Sequence, residues 1–455
     1  MKLKVTNPAN HNLIEEIQCD TEASIIEKFE LAKKAQKDWS KVPFLQKHAM
    51  IEKFKDLLLA NKEKLGNVLT SETGKPISQS VGEIKAMKGR IEFFLKNTEK
   101  CLQEQYVHQQ DGMIEKITYE PLGVVGNISA WNYPYFVGSN VFIPALLTGN
   151  TVLYKPSEYA LLTGLEITKL FYEVGIPKDV FQTVIGAGEA GAQLSGLPLD
   201  GLFFTGSYLT GKKIAQSSHQ QLLKLQLELG GKDPAYVCED ADLQATAENL
   251  ADGAFYNAGQ SCCSIERIYV HEKIYDDFLE QFTKCVKNFK TGDPTSSDTY
   301  LGPLTRVQQI GVLENQVKDA LSKGAKILLG GHATEGTSNY FEPTILIEVN
   351  HDMLLMKEES FGPIIGIQKV KSDDEAVSLM NDTEYGLTSG VFTQDQVRAE
   401  NILTQLDSGS VFWNCCDRVS PRLPWTGRKH SGLGSTLSKI GIHSFLQPKA
   451  WHLKS

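Results

Sequence analysis

What this chain lacks excludes several kinds of protein. It contains no run of about 18 apolar residues that would span a bilayer, and its start, Met1-Lys2-Leu3-Lys4-Val5-Thr6-Asn7-Pro8, has no apolar signal core. No membrane association is expected, and the expected location is cytoplasmic. No CxxC pair and no HExxH occurs, so no metal site is assigned. The eight cysteines are too sparse for a disulfide scaffold and read as free thiols of a reducing compartment. Lys and Arg form no cluster dense enough to follow a phosphate backbone, and 46 basic against 55 acidic residues leave a net charge of −9. Nucleic acid is therefore not an expected partner. Low-complexity runs are also missing, and 41% hydrophobic with 22% charged residues is the balance of a folded globular chain.

At 455 residues the chain is long enough for two or three domains and a large cleft. Over residues 21–39 the apolar positions Ile25, Phe29, Ala32 and Ala35 recur at three- and four-residue steps behind a capping Thr21, which predicts an amphipathic helix. Further helical patterns cover 43–69 and 82–102, so the opening reads as mostly helical. Strands at 114–119, 123–128, 151–154, 180–185 and 201–204 then alternate with helices at 137–147 and 161–174. That β-α-β order predicts a parallel, doubly wound sheet. Leu223, Leu225, Leu227 and Leu229 alternate with polar residues and end at Gly230-Gly231, as a strand entering a tight turn would. Beyond it, helices at 243–258 and 272–289 and strands at 326–329, 364–370 and 390–392 make the second half α/β as well.

Three stretches carry candidate chemistry. Gly206 to Lys213 follows a strand and opens a helix, the setting that attracts phosphate. Its spacing is close to GxxxxGK[ST], but Lys213 stands where a magnesium-binding hydroxyl is required, which disfavours triphosphate hydrolysis. It is not GxGxxG either, so it reads equally as a plain turn or a cofactor site. Residues 255–263 present Cys262 and Cys263 at the end of a helical pattern; such thiols are either small buried hydrophobes or an activated nucleophile. No histidine lies nearby to serve as base. A carboxylate does occur at Glu228, on the strand face opposite the leucines, where it is either solvated or a base whose pKa a dry cleft would raise.

Trp131-Asn132-Tyr133-Pro134, Gly149-Asn150-Thr151-Val152, Lys155-Pro156-Ser157-Glu158, Phe204-Thr205-Gly206-Ser207, Leu227-Glu228-Leu229-Gly230-Gly231-Lys232, Gly259-Gln260-Ser261-Cys262 and Glu359-Ser360-Phe361-Gly362-Pro363 together resemble the ordered motifs of the aldehyde dehydrogenase superfamily over nearly the whole chain. The resemblance implies an NAD-dependent oxidation of an aldehyde to an acid. Cys262 would be the nucleophile, Asn132 an oxyanion donor together with the Cys262 backbone N–H, and Glu228 the base that activates water against the thioester. Cys263 would be packing. It implies cofactor contacts from Trp131, Lys155, Ser157, Glu158, Gly206, Ser207, Gly211, Glu359 and Phe361. The Glu158 carboxylate would bond ribose hydroxyls and repel a 2′-phosphate, so NAD is preferred over NADP.

The usual PFGG-K-SG segment of that family reads here Pro424-Trp425-Thr426-Gly427-Arg428-Lys429-His430-Ser431-Gly432. Tyr133, Tyr256 and Trp425 resemble the aromatic box of betaine-aldehyde and aminoaldehyde members, which suits an aminoaldehyde; an apolar tunnel for aliphatic aldehydes is the equal alternative. Asn140 and Tyr256 stand where succinate-semialdehyde members place carboxylate-binding arginines, which disfavours a diacid semialdehyde unless Arg418 or Arg422 compensates. Acyl transfer to coenzyme A is disfavoured by Glu228, and a non-catalytic scaffold by the joint presence of Cys262, Asn132 and Glu228. The implied architecture is a Rossmann-like cofactor domain (1–105 and 122–229), an α/β catalytic domain (230–412) and a small β arm (106–121 and 413–455). Strand edges in such an arm favour a homodimer or homotetramer.

Overall fold

A computed structural model describes residues 1–218, 221–334, 336 and 339–455. Its organising element is a six-stranded sheet in the order Gly432–Leu433, Lys224–Glu228, Gly201–Thr205, Val124–Ile128, Thr151–Lys155, Phe181–Thr183. The last five run parallel, and only Gly432–Leu433 is antiparallel. Strand residues alternate between two faces, and each face is buried by different helices. Val125, Val152, Tyr154, Phe181 and Phe203 pack with the helices Phe44–Ala60, Ile77–Leu102, Pro134–Leu147 and Leu161–Glu173. Val124, Leu153, Leu202, Phe204, Leu227 and Leu229 instead meet Ile25, Phe29 and Ala32 of the helix Glu22–Trp39 and Leu194 of the helix Gly188–Ser195. Two-sided burial is why these strands read as near-continuous apolar runs. The expected α/β class is the observed one.

The chain winds outward from Val124–Ile128 through Thr151–Lys155 to Phe181–Thr183, then crosses back to Gly201–Thr205 and Lys224–Glu228 on the other side. A crevice opens at such a reversal, beyond the carboxyl ends of Val124–Ile128 and Gly201–Thr205. Ser129 to Asn132 and Gly206-Ser207 follow those ends directly.

A second, seven-stranded sheet has the order Lys326–Leu329, Thr344–Ile347, Ile364–Val370, Ile265–His271, Asp233–Val237, Thr388–Phe392, Ser410–Trp413 and its own apolar core. Only Lys326–Leu329 runs antiparallel. A third sheet joins Leu446–Lys454, Met113–Pro121 and Gln105–Gln110, all antiparallel. It projects as exposed ribbon, with Tyr106, Val107 and Leu453 open to solvent.

Two sequence expectations need correction, and two strands went unread. The opening is mostly helical, as expected, but Lys2–Thr6 also pairs antiparallel with Leu13–Gln18, two strands too polar to show a buried pattern. The helical pattern over 43–69 is two helices, Phe44–Ala60 and Lys62–Thr73, broken at Asn61, whose Nδ2 donates to the Leu57 carbonyl. The pattern over 243–258 ends as a helix at Phe255. The Thr21 cap stands as read: Thr21 Oγ1 accepts from Ser24 N at 3.2 Å, and Ser24 Oγ accepts from Thr21 N at 2.9 Å.

Candidate active site

The turn that presents Cys262 is built from unfavourable backbone. Asn257, Ala258 and Gly259 follow one another with φ of 54°, 54° and 70°. Left-handed conformations at the two L-residues cost about 1 to 2 kcal/mol each, so hydrogen bonds must hold them. Asn257 N donates to Gln79 Oε1 (3.0 Å), Gln260 Nε2 donates back to the Asn257 carbonyl (3.0 Å), and Gln260 Oε1 accepts from Thr305 N (2.9 Å). Gly259 has no substitute here, because a Cβ would lie 2.3 Å from the Gly362 carbonyl oxygen. Gly259→Ala is expected to destabilise the protein by more than about 2 kcal/mol and to displace Cys262. Chemical denaturation and activity, measured on one preparation, check both effects.

Cys262 is half-buried; Cys263 is buried. Their environments separate them. Cys263 Sγ donates to Asp417 Oδ1 at 2.8 Å, and its contact with Cys262 and its burial raise its pKa well above the ordinary thiol value. It is held as a neutral thiol. Burial also pushes the Asp417 carboxyl up to about 7.

Asn132 approaches the same turn from the end of Val124–Ile128. One N–H of its Nδ2 donates to the Gln260 carbonyl at 3.2 Å, which Asn257 Nδ2 also engages at 3.1 Å. This bond orients the amide beside the cysteine loop, and the second N–H remains for a ligand oxygen.

Glu228 ends its strand fully enclosed. Burial raises its pKa, while Thr436, Arg90, Gln226 and Thr205 pull it back. Gln226 Nε2 and Thr436 Oγ1 donate to Oε1, the former at 3.1 Å, and Thr205 Oγ1 donates to Oε2 at 3.4 Å. Glu228 is only 7% exposed, so the reading of an ordinary solvated strand face does not hold.

Two cavities converge on these residues. One, of about 860 Å³, runs along the crevice of the six-stranded sheet; the other, of about 490 Å³, opens beyond Cys262, and both are lined by Thr205, Glu228 and Cys262. The larger groove contains Asn132 and eight of the nine expected cofactor residues: Trp131, Lys155, Ser157, Glu158, Gly206, Ser207, Glu359 and Phe361. Gly211 is the exception. A Cβ there would lie 2.5 Å from Leu229 Cδ2, so its smallness lets the helix Tyr208–Ser218 pack against the sheet.

Within the groove, Lys155 Nζ stands 3.8 Å from Glu158 Oε2, and burial lowers its pKa. Ser157 Oγ is occupied in capping the turn Glu158–Ala160 through Tyr159 N. At the other end Glu359 Oε1 accepts from Gly231 N at 3.2 Å, and burial beside Glu266 pushes its pKa up to about 8. Phe361, at φ 45°, meets the Trp131 ring edge-on with centroids 5.6 Å apart.

Sequence reading missed what holds that end. Glu266 accepts from Ser360 N (2.8 Å), Phe361 N (3.0 Å) and Lys232 Nζ (2.7 Å), so one buried ion pair fixes the loop. The helix face Gly188, Gly191, Ala192, Ser195 was also missed, although its small residues at i, i+3, i+4 and i+7 were a readable signal. That face lets a planar or extended ligand approach the backbone. Together with the start of Tyr208–Ser218, the Lys155 ammonium as donor and the Glu158 carboxylate as acceptor for ribose hydroxyls, the groove suits a dinucleotide. The smaller cavity is lined by the expected Tyr133, Tyr256 and Trp425, and also by Arg90 and Asp417, for which the sequence offered no local pattern.

A thiol, an amide and a buried carboxylate stand where a groove suited to a dinucleotide meets a second cavity, the arrangement of a cofactor-dependent dehydrogenase. The aldehyde dehydrogenase family matches residues 1–451, and this chain belongs to it. It is 33% identical to the mitochondrial succinate-semialdehyde dehydrogenase of Arabidopsis thaliana, over 98% of this chain and 85% of that protein. It is 34% identical to the peroxisomal aminoaldehyde dehydrogenase 1 of Pisum sativum, over 97% of this chain and 90% of that one. An NADP-dependent enzyme of E. coli superposes with a TM-score of 0.98 at 30% identity, over 100% of this chain and 95% of that structure. The protein is an enzyme that oxidises aldehydes with a nicotinamide cofactor. Among the described residues no helix is long and apolar enough to cross a membrane.

Proposed function

We propose that Cys262, Asn132 and Glu228 convert an aldehyde to a carboxylic acid through a thioester on Cys262, with NAD as the preferred acceptor. The meeting of the two cavities at Cys262 and Glu228 carries this reading. In it, the Cys262 thiolate attacks the aldehyde carbon, and the free N–H of Asn132 and the backbone N–H of Cys262 receive the developing alkoxide. Donors so placed contribute roughly 3 to 4 kcal/mol each in comparable acyl-transfer sites. The bound nicotinamide supplies the hydride acceptor; Trp131, Glu359 and Phe361 would hold its end of the cofactor, and Lys155, Ser157, Glu158, Gly206 and Ser207 the other. Glu228, whose pKa burial raises above that of an ordinary glutamate, takes a proton from the water that opens the thioester. The acid leaves and the thiol is restored.

NADH formation from NAD and an aldehyde panel, with and without coenzyme A, tests this directly: activity that does not need coenzyme A supports hydrolysis, and strict dependence on it refutes the role of Glu228. The cofactor preference rests on the Glu158 carboxylate, which would repel a 2′-phosphate beside it. Glu158→Gln is expected to improve kcat/KM for NADP relative to NAD by about tenfold. An unchanged ratio would remove Glu158 from cofactor selection.

The three sheets support the division into cofactor domain, catalytic domain and β arm, with Gly432–Leu433 joining the cofactor sheet from within the C-terminal stretch. Exposed apolar side chains on the arm support a homodimer or homotetramer, which light scattering would distinguish. Eight free cysteines fit a reducing compartment, the cytoplasm in this reading.

A further inference from the structure

The cavity beyond Cys262 contains a buried cation whose charge lowers the Glu228 pKa but whose N–H donors the chemistry above does not use. Arg90, on the helix Ile77–Leu102, is only 5% exposed and lines the cavity wall. A guanidinium carries five N–H donors, yet among the described residues its hydrogen-bond acceptor is a single atom, Asn140 Oδ1. Phe136 supplies an apolar floor, its ring centroid 4.4 Å from the guanidinium carbon. Burying this charge without an anion on its remaining donors is costly, so the site calls for one.

The acids that share the cavity are engaged elsewhere. Glu83 is bonded by Lys75 Nζ at 2.6 Å and by the backbone N–H groups of Tyr135 and Phe136. Glu228 is bonded by Thr436, Gln226 and Thr205. Asp252 accepts from the Tyr300 hydroxyl at 2.6 Å, and Asp417 from Cys263. Arg418 and Arg422 add further positive charge to the lining.

The helix also makes room beside Arg90. Gly82, Ala86 and Gly89 fall at i, i+4 and i+7 and face the cavity, and a Cβ at Gly82 or Gly89 would meet nothing within 4 Å. The aromatic wall, in contrast, is already matched to a cation of the chain itself: Lys75 Nζ lies 3.9 Å from the Tyr133 ring centroid. An ammonium substrate would find the Tyr133 ring already engaged and would meet the Arg90 charge in the cavity wall.

We propose that Arg90 is a specificity-determining residue whose free N–H groups bind a carboxylate at the far end of the substrate, so that ω-carboxylate aldehydes are the preferred class. This rests on the aldehyde-oxidising reading for the position of the reacting end. A planar guanidinium binds a carboxylate through two parallel N–H···O bonds, and Asn140 holds the fork in orientation.

The test compares 4-oxobutanoate and 5-oxopentanoate with butanal, pentanal and 4-aminobutanal on the intact protein and on Arg90→Gln. The expected result is a kcat/KM at least about tenfold higher for the oxoacids than for the uncharged aldehydes, a ratio that Arg90→Gln removes through KM, whereas the loss of the Arg90 charge beside Glu228 falls on kcat for every aldehyde alike. Arg90→Lys should recover part of the loss. Equal rates for charged and uncharged aldehydes, a preference for 4-aminobutanal, or a KM change in Arg90→Gln that is uniform across the panel would each overturn the proposal while leaving aldehyde oxidation intact. Calorimetric binding of succinate and glutarate is independent of turnover. If no aldehyde is oxidised, the catalytic reading fails, yet succinate binding abolished by Arg90→Gln still sustains the anion site; no binding to the wild type sinks it.

Discussion

Cys262→Ala is expected to lower kcat by roughly 10⁴-fold or more with every aldehyde, the size of loss that follows removal of a covalent nucleophile. The neighbouring substitution sharpens the test. Cys263 is buried and donates its thiol proton to Asp417, whereas Cys262 is half-buried and stands where the two cavities meet. Cys262→Ala should therefore leave stability within about 1 kcal/mol of wild type. Cys263→Ala should cost about 1 kcal/mol or more, because it leaves the Asp417 carboxyl without its donor, and should retain substantial turnover. Steady-state NADH formation and denaturant midpoints on the two variants separate chemistry from packing. Full activity in Cys262→Ala would end the assignment of the nucleophile.

Glu228→Gln is expected to divide the reaction in two. The substitution preserves shape: a glutamine oxygen can still accept from Thr436 and Gln226, as Glu228 Oε1 does. Attack on the aldehyde and hydride release do not need the carboxylate, so a first equivalent of NADH should appear rapidly. Hydrolysis does need it, and steady-state turnover should fall by about 10² to 10⁴, the usual range for losing a general base. Rapid-mixing measurement of NADH reads both phases, and an unaltered steady state would remove the base role.

The pH dependence has a definite sign. The folded-state pKa of Glu228 lies above that of an ordinary glutamate because burial disfavours its anion. A base acts when unprotonated, so wild-type turnover should rise with pH through that raised pKa. This rising limb should be absent from the residual turnover of Glu228→Gln.

The helical and strand periods along the chain pointed correctly to α/β structure because each burial pattern repeats with its own local geometry. They failed where burial is weak or tertiary. The polar strands Lys2–Thr6 and Leu13–Gln18 bury little, and Asn61 interrupts a helical pattern whose apolar period continues past it. Gly211 belonged to a turn that looks phosphate-binding, but its smallness serves contact with Leu229, 18 residues away by 229 − 211. Short motifs singled out the thiol, amide and carboxylate as candidates through their resemblance to a family, whereas the residues by themselves left a buried thiol and a solvated carboxylate as open readings.

Arg90 had no such signature. Its meaning depends on Asn140 and Glu228, which reach it from other elements of the fold, and on burial in the cavity wall, which raises the value of every unpaired donor. The same holds for Glu266, whose grip on Ser360 and Phe361 spans almost a hundred positions. From its own residues the chain determined the layered α/β class and the inventory of reactive groups, because periodicity and functional-group chemistry are local. Folding alone decided which of them share one enclosed space, how far burial moves their pKa values and which charge was left facing the substrate cavity, because dielectric and distance depend on neighbours from remote parts of the chain.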